Sequence, residues 1–126
     1  MNQIIHTENA PAAIGPYSQA VKAGNLLFVS GQLPIDPATG AFAGEDIAAQ
    51  TRQSLNNVQA ILEEAGYTLA DVVKATVLLA DMADFAAMNT VYAQFFTTNC
   101  PARAAFAVKE LPRGAKVEIE VIACRD

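Results

Sequence analysis

At 126 residues the chain has the length of one domain, enough to bury roughly two-thirds of its unfolded surface. Its net charge is −5 and its eight Lys and Arg are spread singly, so no row of cations exists to neutralise a phosphate backbone, and nucleic-acid binding is not expected. No apolar run approaches the roughly 18–20 residues of a membrane span. The start MNQIIHTENAPA lacks a secretory signal's basic end and apolar run, and Cys100 and Cys124 make neither a metal spacing nor a disulfide framework, so a reduced, cytoplasmic protein is expected.

In chain order, two short apolar runs between Ser18 and Gly31 flank Ala23-Gly24-Asn25, which is a hairpin signal. The second run, Leu26 to Ser30, is apolar enough for a largely buried strand. Asp36-Pro37-Ala38-Thr39-Gly40 supplies turn chemistry. From Asp46 to Ala65 the residues Ile47, Thr51, Leu55, Val58 and Leu62 recur at helical spacing, which predicts an amphipathic helix with Gln50, Gln53, Asn57 and Glu64 on the opposite face. Asp46 is its expected cap, and Gly66 its stop. Val72 to Ala80 reads as a central strand. A second helix is predicted over Asp84–Thr98 with Phe85, Met88, Tyr92 and Phe95 on one face, ended by Pro101. Two closing strands follow, Arg103–Lys109 and Ala115–Arg125, on either side of the turn Pro112-Arg113-Gly114.

The order β-β-β-α-β-α-β-β predicts a two-layer α+β domain, a mixed sheet with two helices on one face. In the last strand Val117, Ile119, Val121 and Ala123 point one way and Glu118, Glu120, Ile122 and Cys124 the other. If the first set lies under the helices, the second faces an uncovered side where apolar and acidic residues mix. Apolar residues are 52% of the chain, more than one small domain hides, so that side is expected to serve as a subunit interface.

Candidate chemistry is sparse. His6 is the only histidine, so neither a His-activated nucleophile nor a His-rich metal site is expected. The glycines form no phosphate-binding loop, so no phosphate or dinucleotide cofactor is expected. Arg103 stands out because it opens a strand after a proline turn in an apolar stretch. Its planar fork suits a carboxylate, and two partners are open: a ligand, or a protein carboxylate such as Glu118 or Glu120. Glu118 and Glu120 share a face that is either solvated or holds one carboxyl in a desolvated pocket for acid–base work.

The segments Glu8–Val21 (ENAPAAIGPYSQAV), Val29–Gly40 (VSGQLPIDPATG), Gln50–Leu62 (QTRQSLNNVQAIL), Pro101–Pro112 (PARAAFAVKELP) and Lys116–Ala123 (KVEIEVIA) together resemble the RidA (YjgF) family over nearly the whole chain. The resemblance implies a chorismate-mutase-like fold assembled as a homotrimer with sites between subunits. It implies cofactor-free hydrolysis of 2-iminopropanoate and 2-iminobutanoate to 2-oxo acids and ammonia. It assigns Arg103 to the substrate carboxylate, Glu118 to the attacking water, Tyr17 to the aromatic wall, Ser30 and Gly31 to backbone contacts, and Asn89 to the border of the site. Many members carry a cysteine two residues after the arginine; here that residue is Ala105, which leaves only a backbone contact and excludes a thiol there. Cys100 does not take over that role. The alternative of another class is a non-catalytic trimeric module that binds small carboxylate metabolites such as 2-oxo acids.

Overall fold

The chain first reverses where glycine permits it. Strands Ala20–Ala23 (β2) and Leu26–Gln32 (β3) form an antiparallel hairpin across Gly24, whose φ of 63° lies in the left-handed region that costs glycine nothing. Gln3–Ile5 (β1) pairs with the outer side of β2. The computed structural model describes residues 1–126 and continues with Ile47–Glu64 (α1), Val72–Leu79 (β4), Phe85–Phe95 (α2), Ala102–Ala107 (β5) and Val117–Cys124 (β6). The strands make one sheet in the order β1-β2-β3-β6-β4-β5, mixed because β4 and β5 run parallel while every other neighbouring pair is antiparallel. This is the α+β arrangement, and the order of elements, that the sequence predicts. No helix is long and apolar enough to cross a membrane.

One face of the sheet is covered. Leu55, Val58, Ile61 and Leu62 of α1 and Met88 of α2 are fully buried against Leu27, Ala75, Val77, Leu79, Val117 and Ile119. Burying each larger side chain contributes about 1.5–3 kcal/mol before the entropy of ordering the chain is set against it. The strand parity read from β6 holds: Val117, Ile119, Val121 and Ala123 are buried, while Glu118, Ile122 and Cys124 are only partly covered and Glu120 is exposed. The open face also carries Phe28 and Phe106, which stay 43% and 47% exposed. Two separate aromatic rings left in water on one sheet face are what an interface between copies would cover.

Two readings of the helices need correction. Gln50 and Asn57, assigned to the solvent side of α1, are buried. Asn57 donates to Leu33 O and Ile35 O at 3.1 and 2.9 Å, and Gln50 donates to Gly44 O and accepts from Lys116 N–H. Their amides satisfy the backbone of the loop packed beside the helix, which lets polar side chains sit inside. Asp46 caps α1 by accepting from Ala49 N–H, and Gly66 follows it at φ 82°, both as read from sequence. The second helix is shorter than the predicted Asp84–Thr98. Phe96 leaves the helix in an extended conformation and buries its ring in the core, 4.7 Å from the ring of Tyr92. That burial ends α2 well before Pro101.

Candidate active site

The site is built around an irregularity in β3. Val29 pairs with Val121 and Gln32 with Ile119, three steps along β3 against two along β6, so β3 carries an extra residue at Ser30–Gly31. Such a bulge bends the strand and re-aims its groups. The distortion is held by the segment that leads into β2: Ser30 N–H donates to Gln19 O at 2.9 Å and Ser30 Oγ to Ser18 O at 2.6 Å. Gly31 lies directly under Glu118; a Cβ there would stand 2.9 Å from the carboxyl carbon and nearer still to Oε2. A side chain at Gly31 would displace the Glu118 carboxyl from this position, so the glycine serves the close approach rather than a special backbone angle.

Around these residues lies a cleft of about 620 Å³, lined by Tyr17, Ser30, Gly31, Arg113 and Glu118 with apolar walls from Ile14 and Ile35. Burial here pushes the Glu118 carboxyl above its ordinary pKa, and the charge of Glu120 on the same strand adds to the effect. A carboxyl raised in this way keeps its proton more readily than a fully solvated glutamate, which suits a group that must both take and return one. Of the glutamate pair, Glu118 is half-buried in the cleft and Glu120 is exposed.

Arg103 lies elsewhere. Its Nη1 donates to Asn89 Oδ1 at 2.6 Å, and its guanidinium stands 4.7 Å from the ring centroid of Tyr92 and 5.6 Å from that of Phe85. Aromatic faces on α2 thus fix the guanidinium plane. Tyr92 stays neutral beneath it, because burial raises its pKa and only partly yields to the opposing Arg103 charge. No carboxylate of the chain pairs with Arg103; the ion pair present is Arg125–Asp71, 3.2 Å long. Its protein partner is therefore a neutral amide, and the rest of an exposed cationic fork is left over.

The register shows how these two groups relate. Arg103 aligns with Ala75, and Ala75 with Val121, both buried under the helices, so Arg103 projects to the helix side at the sheet edge. Glu118 aligns with Leu78 on the open side. Two strand spacings and three residues separate them, roughly 14 Å between Cα atoms, with the side chains on opposite faces. Within one chain the structure therefore brings Tyr17, Ser30, Gly31 and Glu118 together, and separately Arg103 with Asn89. Ala105, aligned with Val77, is half-buried against the core two residues beyond Arg103. Cys100 lies beside Arg103 in a second hollow of about 330 Å³, its thiol donating to Phe96 O at 3.4 Å, and His6 is exposed and apart from both.

Sequence reasoning missed Gln19 and Arg113 in the cleft and the aromatic shelf of Phe85 and Tyr92. The two aromatics were read only as core stripe. Nothing in the local sequence marks Gln19, because its role is to bond backbone atoms about ten residues away.

A mixed six-stranded sheet with one open face, a bulge pressed against a half-buried glutamate and a shelf-mounted arginine at its edge define a small α+β domain with two candidate half-sites. Residues 7–125 match the family described as Endoribonuclease L-PSP, and the chain belongs to it, the family also called YjgF/RidA, as the sequence resemblance indicated. It is 58% identical, over the full length of both chains, to a RutC family protein of Pyrococcus horikoshii. It is 53% identical to the 2-iminobutanoate/2-iminopropanoate deaminase of Salmonella typhimurium, covering 99% of each chain. Its fold is similar to that of TdcF of E. coli, solved with bound serine, at a TM-score of 0.95 and 46% identity over 98% of this chain and 99% of that one.

Proposed function

We propose that this protein is an enzyme that hydrolyses small 2-imino acids, 2-iminopropanoate and 2-iminobutanoate, to the 2-oxo acid and ammonia, in sites shared between copies of a chorismate-mutase-like homotrimer. The observation that carries the reading is the division of the candidate groups between two faces. A desolvated acid–base carboxyl lies in one half-site and a carboxylate-binding arginine without an anionic partner lies in the other, and one chain cannot close the two around a small molecule. A second copy laid against the open face supplies what the first lacks. The named activity of the Salmonella relative supports this chemistry, and the serine in TdcF supports a site for a small amino-acid-like carboxylate.

In this reading Arg103 fixes the substrate carboxylate, with Asn89 and the ring of Tyr92 holding the guanidinium in place. Ser30, Gly31 and Ala105 offer backbone contacts, and Tyr17 closes the apolar side. Glu118 takes a proton from water as it attacks C2, then returns one to the departing nitrogen. Imines already hydrolyse in water, so orientation and proton transfer supply the catalysis without a cofactor. The substrate is a small molecule, and the reading places the protein in the cytoplasm, where such imines arise from amino-acid breakdown. Nucleic acid has no part in it, since no basic row is present to hold a phosphate chain.

The test generates 2-iminopropanoate in situ and follows its loss to semicarbazide trapping as the protein is added. Acceleration by wild type is expected, with loss of at least about a hundredfold in Arg103→Ala and Glu118→Ala while both remain folded. No acceleration by wild type, together with saturable binding of 2-oxobutanoate, would favour the non-catalytic binding module instead.

A further inference from the structure

Gln19 is 2% exposed, and its side-chain amide is surrounded by backbone. Thr7 N–H donates to Oε1 at 2.7 Å, and Nε2 donates to Thr7 O at 3.0 Å and Pro11 O at 2.8 Å, with Ala10 O a longer third acceptor at 3.4 Å. The orientation of the amide is fixed by these partners, because a flipped one would aim its oxygen at three carbonyls. The same residue's backbone carbonyl receives Ser30 N–H from the bulge. Gln19, Pro11 and Ala12 all line the cleft that holds Glu118. The segment Thr7–Ser18 has no strand or helix of its own to hold it, so its position rests on such contacts.

We propose that Gln19 is a positioning residue: its amide straps the N-terminal segment Thr7–Pro11 onto the sheet beside the Ser30 bulge and so holds the wall that encloses the Glu118 carboxyl. The inference deepens the imine-hydrolase reading and rests on it only for its effect on turnover. A buried glutamine serving the fold alone would leave the cleft's electrostatics unchanged when replaced. A strap that keeps water from Glu118 would not.

The decisive measurement is the carbon-13 titration of Glu118 in wild type and in Gln19→Met, which keeps the volume and removes every side-chain hydrogen bond. With the wall released, the Glu118 midpoint is expected to fall by about half a unit or more toward the ordinary carboxyl value. The charged and titratable groups facing Glu118 are Glu120 on its own strand, Arg113 from the turn before it and Tyr17 from the N-terminal segment; the variant replaces none of them, and of the three only Tyr17 belongs to the segment it releases. In the imine assay the acid limb of the pH profile should move the same way, with kcat/KM reduced about tenfold. A Glu118 midpoint unmoved in folded Gln19→Met overturns the inference whether or not the protein proves to be an imine hydrolase. Absence of turnover in wild type overturns only the function. Should Gln19→Met not fold, Thr7→Pro deletes the N–H donated to Gln19 and is expected to shift the midpoint in the same direction by less; no shift there overturns the strap.

Discussion

At Gly31 the chain carries no side chain, and the Glu118 carboxyl occupies the space one would need. The contact explains both residues at once: a glycine in a strand otherwise weakens it, and a glutamate under partial cover is otherwise costly. The cost has a measurable sign. Because folding raises the Glu118 pKa, its contribution to stability is complete below the ordinary carboxyl range and is lost as pH rises through the elevated value. Glu118→Gln is therefore expected to gain melting temperature relative to wild type as pH is raised from about 4 to 8. A difference that stays constant across that range in calorimetry would count against a desolvated carboxyl. Arg103 makes the complementary point, since the ion pair that charge arithmetic offered it is replaced by an amide and two aromatic rings.

Among the elements, α1 shows how far periodicity carries. Its apolar stripe, its Asp46 cap and its Gly66 stop follow from residue spacing and turn chemistry, all local properties. The burial of Asn57 does not, because its partners, Leu33 and Ile35, are more than twenty residues away, in a loop outside the main sheet where Ile35 bridges to Phe42. Asn57→Leu keeps the branched outline of the side chain and raises helix propensity but leaves both carbonyls without their donor, so a net loss of about 1–3 kcal/mol is expected. Urea unfolding checks this as a lower midpoint at an unchanged slope. The early end of α2 has the same origin: an aromatic that fits the core outweighs one more turn of helix. The bulge at Ser30–Gly31 had no signal of its own beyond a glycine in a strand.

For the whole molecule, the proposed function is tied to assembly, because Arg103 and Glu118 lie two strands apart on opposite faces of the sheet. Arg103→Ala and Glu118→Ala, each inactive alone, are expected to regain activity when unfolded and refolded together, since a site taking one group from each of two copies is intact in about one quarter of random pairings. Recovery near that fraction in the imine assay fits a shared site; no recovery from a mixture shown to be trimeric would place both groups in one chain's site. The open face, with Phe28 and Phe106 in water beside Glu118 and Glu120, is the surface such an assembly would cover.

By itself the sequence determined the order of elements, the α+β class, the alternation of β6 and the family, because each depends on local spacing or on residue identity along the chain. It also singled out Tyr17, Ser30, Gly31, Asn89, Arg103, Ala105 and Glu118 as candidates. Only the tertiary structure decided which of these stand together: the bulge and the buried amide of Gln19 gather one set, and the α2 aromatics hold the other across the sheet. Those groupings depend on pairings between distant segments, and a register offset of one residue would reverse every face.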